Sequence, residues 1–290
     1  MGEWLGMKEM SGKLLCAISD AYLFLNPPQP RSAMNLFVLL KMVPDTVEEL
    51  NVASDNQSLD SEYLRFKLND PDDHALEQAL LLKEKYGGKV TVLALDAPEV
   101  DDALFTALAK GADRAVKIPA DQATLGTVAT AKVFAAFFAA AGQLAPDTLI
   151  LPGSQAIDDL EGEVAAYLAE LLQLPYLGVV CGVTAADGKV TVMKEFSGGL
   201  RGQFEMPLPA VLGIQSAEKP PRYVPVAKVR AAMKSAKIET ADIAAPAAAK
   251  ALAVERMYKP EAAGHAQMLE GSPEAIAERI AGLLAERGYI

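Results

Sequence analysis

Apolar residues fall along this chain in two alternating rhythms. Short apolar runs occur at 36–40, 90–95 (with Thr91 its one polar member) and 149–151, and between them lie longer stretches with apolar residues three or four apart. An apolar run of this length predicts a parallel strand covered on both faces, and the wider spacing predicts an amphipathic helix. The clearest helix is 71–86, where Ala75, Leu76, Ala79, Leu80 and Leu82 share one stripe. Asn69, Asp70 or Asp72 is available as its cap, Pro71 suits its first turn, and Gly87 with Gly88 ends it. Lys83 and Lys85 complement the dipole in its last turn. Further helices are expected at 100–110, before Gly111, and at 127–141, with a short strand at 114–118. Strands alternating with helices predict an α/β fold built on a doubly wound, mostly parallel sheet.

After Leu174 the rhythm changes. Residues 177–183 and 189–196 read as strands joined by a turn at Asp187 and Gly188. Ser197, Gly198 and Gly199 break the pattern before a further strand at 210–214, so the sheet is expected to finish in antiparallel pieces. Residues 219–223 form a proline-stiffened extended segment, and 226–235 a short basic helix. Residues 240–253 are alanine-rich with little to pack, which suits a linker or an arm. Ser272 and Pro273 then open a last amphipathic helix that runs to about Glu286. At the other end, residues 1–33 carry one short apolar patch and a proline-rich break, without the basic start and longer apolar core of a secretory signal. The expected organisation is an extension at 1–33 with few core contacts, an α/β domain at 34–235, and an arm and helix at 236–290 that pack on another polypeptide.

Composition narrows the functional classes. Among 290 residues the formal net charge is −11, which argues against nucleic acid and against an anionic membrane surface as main partners. It leaves room for phosphates held by backbone groups. Two cysteines, Cys16 and Cys181, give neither a CxxC motif nor a disulfide framework, which suits a reducing cytoplasm. His74 and His265 are the only histidines, so a histidine-rich metal site is excluded, and no nucleophile–base pair stands out. No apolar run reaches the length of a membrane span.

The stretch with the most chemistry is 149–172, LILPGSQAIDDLEGEVAAYLAELL. It passes from an apolar strand through Pro152 and Gly153 and a small polar loop into a helix with Val164, Leu168, Leu171 and Leu172 on one stripe. A glycine-bearing turn between strand and helix offers unpaired backbone N–H groups and positive potential, the ordinary seat of a phosphate. The alternative is a plain strand-to-helix connection capped by Asp158 or Asp159. The acids Asp158, Asp159, Glu161 and Glu163 favour a helix start but repel a phosphate placed against them.

Taken in order, MNLFVLLKMVPDT (34–46), LNDPDDHALEQALLLKEKYGGKVTVLAL (68–95), ALAKGADRAVKI (107–118), LILPGSQAIDDLEGEV (149–164), KEFSGGL (194–200), LPAVLGI (208–214) and PPRYVPVAKVRAAMK (220–234) resemble the small, or beta, subunit of electron transfer flavoproteins from Met34 to Ile290. The resemblance implies a nucleotide-binding core of the adenine nucleotide alpha hydrolase-like kind. It implies a heterodimer with a larger alpha subunit that holds most of an FAD, and a dehydrogenase or quinone-reductase partner. It implies a nucleotide in this subunit, either AMP or, in the electron-bifurcating group, a second FAD that accepts hydride from NADH. The run at 72–80 and the ending at 268–274 resemble the bifurcating or nitrogen-fixation-associated group more. By the same resemblance the nucleotide pocket comprises Val38, Leu39, Asn69, Asp72, Ala94, Leu95, Gly153, Gln155, Asp158, Gly162, Glu163 and Val164. Lys219, Pro221, Arg222 and Tyr223 make a docking segment, with Arg222 and Tyr223 of the residue types enriched at binding hot spots. Three departures stand out. The family's Asn-Pro-x-Asp turn is here Asn69-Asp70-Pro71-Asp72, Glu163 replaces a glutamine, and Ser197 replaces an acid before Gly198 and Gly199. No side chain is assigned to bond-making, because flavin carries redox chemistry itself. His74 reads as a polar residue on a helix face rather than a flavin neighbour. A stand-alone ATP- or AMP-binding α/β module is the rival class.

Overall fold

The computed structural model describes residues 33–60, 62–142, 144–159, 162–186, 188–243, 254–260, 264 and 266–290. The expectations for 1–32, for most of the arm at 240–253 and for His265 lie outside them. The described residues form two units, one from 33–50 and 62–243, the other from 51–60 and 254–290.

The first unit contains strands β1 (Met34–Leu40), β2 (Met42–Pro44), β3 (Phe66–Leu68), β4 (Gly88–Asp96), β5 (Arg114–Asp121), β6 (Thr148–Pro152), β7 (Tyr176–Ala186), β8 (Lys189–Glu195), β9 (Arg201–Pro207), β10 (Ala210–Ile214) and β11 (Glu239–Thr240). Its helices are α1 (Asp70–Tyr86), α2 (Val100–Lys110), α3 (Thr127–Ala140), α4 (Val164–Leu172) and α5 (Val226–Ser235). Nine strands make one sheet in the order β11-β5-β4-β1-β6-β10-β7-β8-β9, and β2 pairs with β3 alone. Every pairing from β11 to β7 is parallel, while β7–β8 and β8–β9 are antiparallel. The α/β, doubly wound, mostly parallel fold is therefore the one the rhythm predicts.

Alternation along the central strands divides the core. On β1, Leu36, Val38 and Leu40 face one cluster with Leu76, Ala79 and Leu80 of α1 and Leu104 of α2. Leu39 faces the other, with Val133, Phe134 and Phe138 of α3 and Ala165, Leu168 and Ala169 of α4. Strand side chains point alternately to opposite faces, so an unbroken apolar run is what a strand sandwiched between two helix layers requires. Phe138 meets the ring of Phe37 edge-on at 5.2 Å. Ile150, fully buried on β6, fills the α3–α4 face. Ile150→Val is expected to lower stability by about 1 kcal/mol, the cost of one buried methylene with partial relaxation, as read from urea unfolding.

Three features depart from the sequence expectations. The stretch between β1 and α1, for which the rhythm predicts no element, contains the β2 and β3 strands, whose three residues each are too short for a periodic signal. The segment after Gly199 forms β9, which pairs with β8. The strand expected at 210–214 is not part of the antiparallel ending. As β10 it inserts between β6 and β7, parallel to both.

In the second unit, the Asp55 carboxylate accepts N–H bonds from Gln57 and Ser58, closing a tight loop. Its helix α6 (Pro273–Glu286) is capped as the sequence suggests, with the Ala275 N–H donating to Ser272 Oγ at 3.3 Å. Ile280, Leu283 and Leu284 on its apolar stripe are exposed.

Candidate functional site

From β1 the chain winds outward through β4 and β5, then returns to place β6 on the other side of β1. The sequence of connections therefore reverses between β1 and β6, and open α/β sheets take ligands beyond the carboxyl ends of strands at such a reversal. Leu39 of β1 is in register with Pro152 of β6, so Lys41 and Gly153 leave the two strands side by side.

Asp72, in the first turn of α1, closes the gap between them. Its Oδ2 accepts the Lys41 N–H at 2.8 Å and its Oδ1 accepts the Gly153 N–H at 3.0 Å. The carboxyl is buried, and burial pushes it up to about 7 against the opposing pull of donors from Asn69, Lys41 and Gly153. An added Cβ at Gly153 would collide with the Asp72 carboxylate and approach Pro71 Cβ to 2.9 Å, so only glycine fits there. Asn69 occupies the cap position of α1 without a side-chain capping bond; its amide instead donates to the Gln155 carbonyl at 3.0 Å. The strand-end N–H groups expected to be open to a phosphate at Gly153 are thus held by Asp72.

The helix after the loop starts later than a cap at Asp158 or Asp159 would require. It begins at Val164, with Glu163 in the cap position and exposed. Asp159 accepts the Gly162 N–H at 3.2 Å, and Asp158 accepts Lys41 Nζ at 2.6 Å. Lys41 therefore offsets one of the acids that would repel an anion. The first N–H groups of α4 have no intrahelical acceptor, and they open on the same edge.

The structure brings Asn69, Asp72, Gly153, Gln155 and Asp158 into one bonded set, with Gly162, Glu163 and Val164 beside it at the start of α4. Val38, Leu39, Ala94 and Leu95 lie at neighbouring strand ends, but their side chains are buried in the two cores. They offer a ligand backbone only. Sequence reasoning missed Lys41, which directly follows the first apolar run and was detectable from that position. It also missed Gln122, whose side chain bonds both the N–H and the carbonyl of Met42, and Ser154, whose Oγ lies 2.6 Å from Gln215 Oε1. Nothing in the spacing signals those two contacts.

The docking segment follows β10. Lys219 and Tyr223 are exposed, Tyr223 at 84%, while Pro221 and Arg222 are half-buried. The Arg222 guanidinium is engaged within the chain: it bonds both Glu77 oxygens, at 2.9 and 2.8 Å, and Glu84 at 2.6 Å. His74 accepts the Ala217 N–H on Nδ1 at 3.2 Å, so this side chain ties a loop to α1. Among the described residues no cluster of three or more metal-ligating acids, cysteines and histidines occurs, and no helix is long and apolar enough to cross a membrane.

Comparison with known proteins agrees with this architecture. Residues 58–248 match the family model described as the electron transfer flavoprotein domain. The chain is 31% identical over 270 residues to the electron transfer flavoprotein subunit beta of Methylophilus methylotrophus, covering 87% of this chain and 98% of that protein. It is 32% identical over 252 residues to the subunit of the same description from Syntrophomonas wolfei, covering 86% and 95%. With that of Bacillus subtilis it shares 28% identity over 269 residues, covering 89% and 100%. On the extent of these matches, the chain belongs to the electron transfer flavoprotein beta-subunit family.

Proposed function

We propose that this chain is the nucleotide-holding subunit of a heterodimer, in which it binds an adenine nucleotide beyond the carboxyl ends of β1 and β6. The observation that carries this reading is the convergence of Lys41, Asn69, Gln155 and the start of α4 at the reversal of strand order. Phosphate would sit against the first turn of α4, near the Lys41 ammonium. Asn69 and the backbone of Gly153 and Gln155 would line the sugar and base. Gly162, Glu163 and Val164 would border the phosphate, with Glu163 directed to solvent. The alpha subunit would hold most of an FAD, and electrons would pass through flavin between a dehydrogenase and an acceptor in the cytoplasm. The nucleotide held here would be a second FAD in the bifurcating form, where it would supply a hydride-accepting ring for NADH, and AMP in the simple carrier. When bound, flavin supplies the redox chemistry; the residues of this chain bind and orient the nucleotide.

Lys219, Pro221 and Tyr223 are proposed to meet a dehydrogenase, with Arg222 fixing the segment rather than reaching outward. The arm and helix at 236–290 are proposed to pack on the alpha subunit, which would cover the exposed stripe of Ile280, Leu283 and Leu284. A flavin and AMP count on the purified heterodimer tests the reading. Two FAD per heterodimer supports the bifurcating form, one FAD with one AMP supports simple carriage, and one FAD with no nucleotide in this subunit overturns the site.

A further inference from the structure

Seven polar side chains are buried among the described residues: Asn69, Asp72, Glu77, Gln78, Thr91, Thr148 and Ser154. Four of the seven lie on α1 or its cap, and they point to two different places. At the start of α1, Asn69 and Asp72 bond the Gln155 carbonyl and the N–H groups of Lys41 and Gly153. Further along, His74, Glu77 and Gln78 bond the segment after β10. The N–H groups of Ala217, Glu218 and Arg222 donate to His74 Nδ1 at 3.2 Å, Gln78 Oε1 at 3.1 Å and Glu77 Oε2 at 3.0 Å. This strap is therefore held through side chains of one helix rather than by strand pairing. A second connection runs directly from the loop, where the Ser154 N–H donates to the Ile214 carbonyl at 2.8 Å and Ser154 Oγ meets Gln215. Loop, helix and strap form a closed hydrogen-bonded circuit.

We propose that this circuit couples nucleotide occupancy at the 153–164 loop to the order of the 217–222 strap, so that bound nucleotide holds the docking segment in place. The proposal rests on the nucleotide reading above. Its physical basis is that α1 bonds the loop through Asn69 and Asp72 and the strap through His74, Glu77 and Gln78, while Ser154 joins the loop directly to the chain just before the strap. Fixing Gly153, Ser154 and Gln155 against a ligand removes freedom from the Asn69, Asp72 and Gln215 side chains that bond them, and the strap then has less to lose on ordering. Linkage makes the effect reciprocal: a strap that is ordered raises nucleotide affinity by the same factor.

Amide hydrogen exchange on the chain co-purified with its alpha subunit tests this, with AMP and FAD as probes. On adding nucleotide, the amides of Ala217, Glu218 and Arg222 are expected to exchange at least about fivefold more slowly, the lower range of site–site coupling. In Glu77→Gln those amides should exchange faster, and nucleotide affinity should fall by a similar factor. If that variant does not fold, Ser154→Ala removes the Oγ bond to Gln215 while keeping the backbone bond to Ile214, and is read the same way. Protection of 153–164 by nucleotide with unchanged exchange at 217–222 would overturn the coupling and leave the nucleotide site standing. Absence of binding by both probes would remove the nucleotide reading and the coupling with it.

Discussion

Arg222→Ala is expected to destabilise the protein by about 3 kcal/mol or more, because it leaves the Glu77 carboxylate buried without its counter-ion. The Glu77 side chain is 4% exposed and that of Arg222 29%, so solvent replaces little of what is lost. For a domain of this size the thermal midpoint should fall by roughly 6–12 °C. Arg222→Lys should recover only part of the loss, since an ammonium cannot reproduce the fork that meets both Glu77 oxygens and Glu84. The pair also has a defined pH signature. Burial pushes the Glu77 carboxyl up, but the Arg222 bonds and charge outweigh it and hold the group below its ordinary 4.5. A depressed folded value contributes stability above the unfolded value and loses it as pH falls through the folded one. The gap between wild type and Arg222→Ala should therefore narrow as pH falls below the ordinary value of 4.5 and through the depressed folded one. Equal urea midpoints for the two proteins at pH 7 would show that the pair contributes nothing in solution.

Asp72 has the opposite sign. Its folded value stands near 7 and its unfolded value at 3.8. The folded state therefore holds more proton between those values, and stability declines as pH rises through that window. The full effect is on the order of 4 kcal/mol, complete above about pH 7. In Asp72→Asn the slope should vanish. The variant should be clearly less stable than wild type at pH 5, because its amide nitrogen faces one of the N–H groups of Lys41 and Gly153 that a carboxyl accepts. At pH 7.5 the two proteins should lie much closer together, since the variant no longer buries a charge. Chemical denaturation across pH 5–8 reads both outcomes, and parallel curves for the two proteins would refute the assignment of the slope to Asp72.

Much of the fold is legible in the chain because its strands are sandwiched. Leu36, Leu39, Leu93 and Ile150 sit in uninterrupted apolar runs because each strand meets helices on both sides. The ends of α1 announce themselves through Pro71 and Gly87. What periodicity cannot give is lateral order. Nothing in AVLGI distinguishes a strand that closes the antiparallel end from one that enters between β6 and β7. Short strands fail for a related reason, since Met42-Val43-Pro44 is no longer than a chance apolar triplet. The site divides in the same way. Asn69, Asp72, Gly153 and Gln155 are recognisable because they flank strong elements and share an ordered motif. The contacts that give them their present roles span long stretches of chain: Asn69 is 86 residues from Gln155, and Asp72 is 81 from Gly153. Such contacts leave no spacing to read.

The insertion of β10 has a consequence for how the molecule assembles. The meander of β7, β8 and β9 consists of neighbouring segments and can pair as soon as it is synthesised, yet its seat beside β6 is filled by a later stretch of chain. Long-range parallel pairing is slow because a large loop must close before it is rewarded. During translation the half-built sheet of β5, β4, β1 and β6 therefore waits with two raw margins, and the one along β6 stays open until Ile214 has left the ribosome, where a chaperone has most to shield.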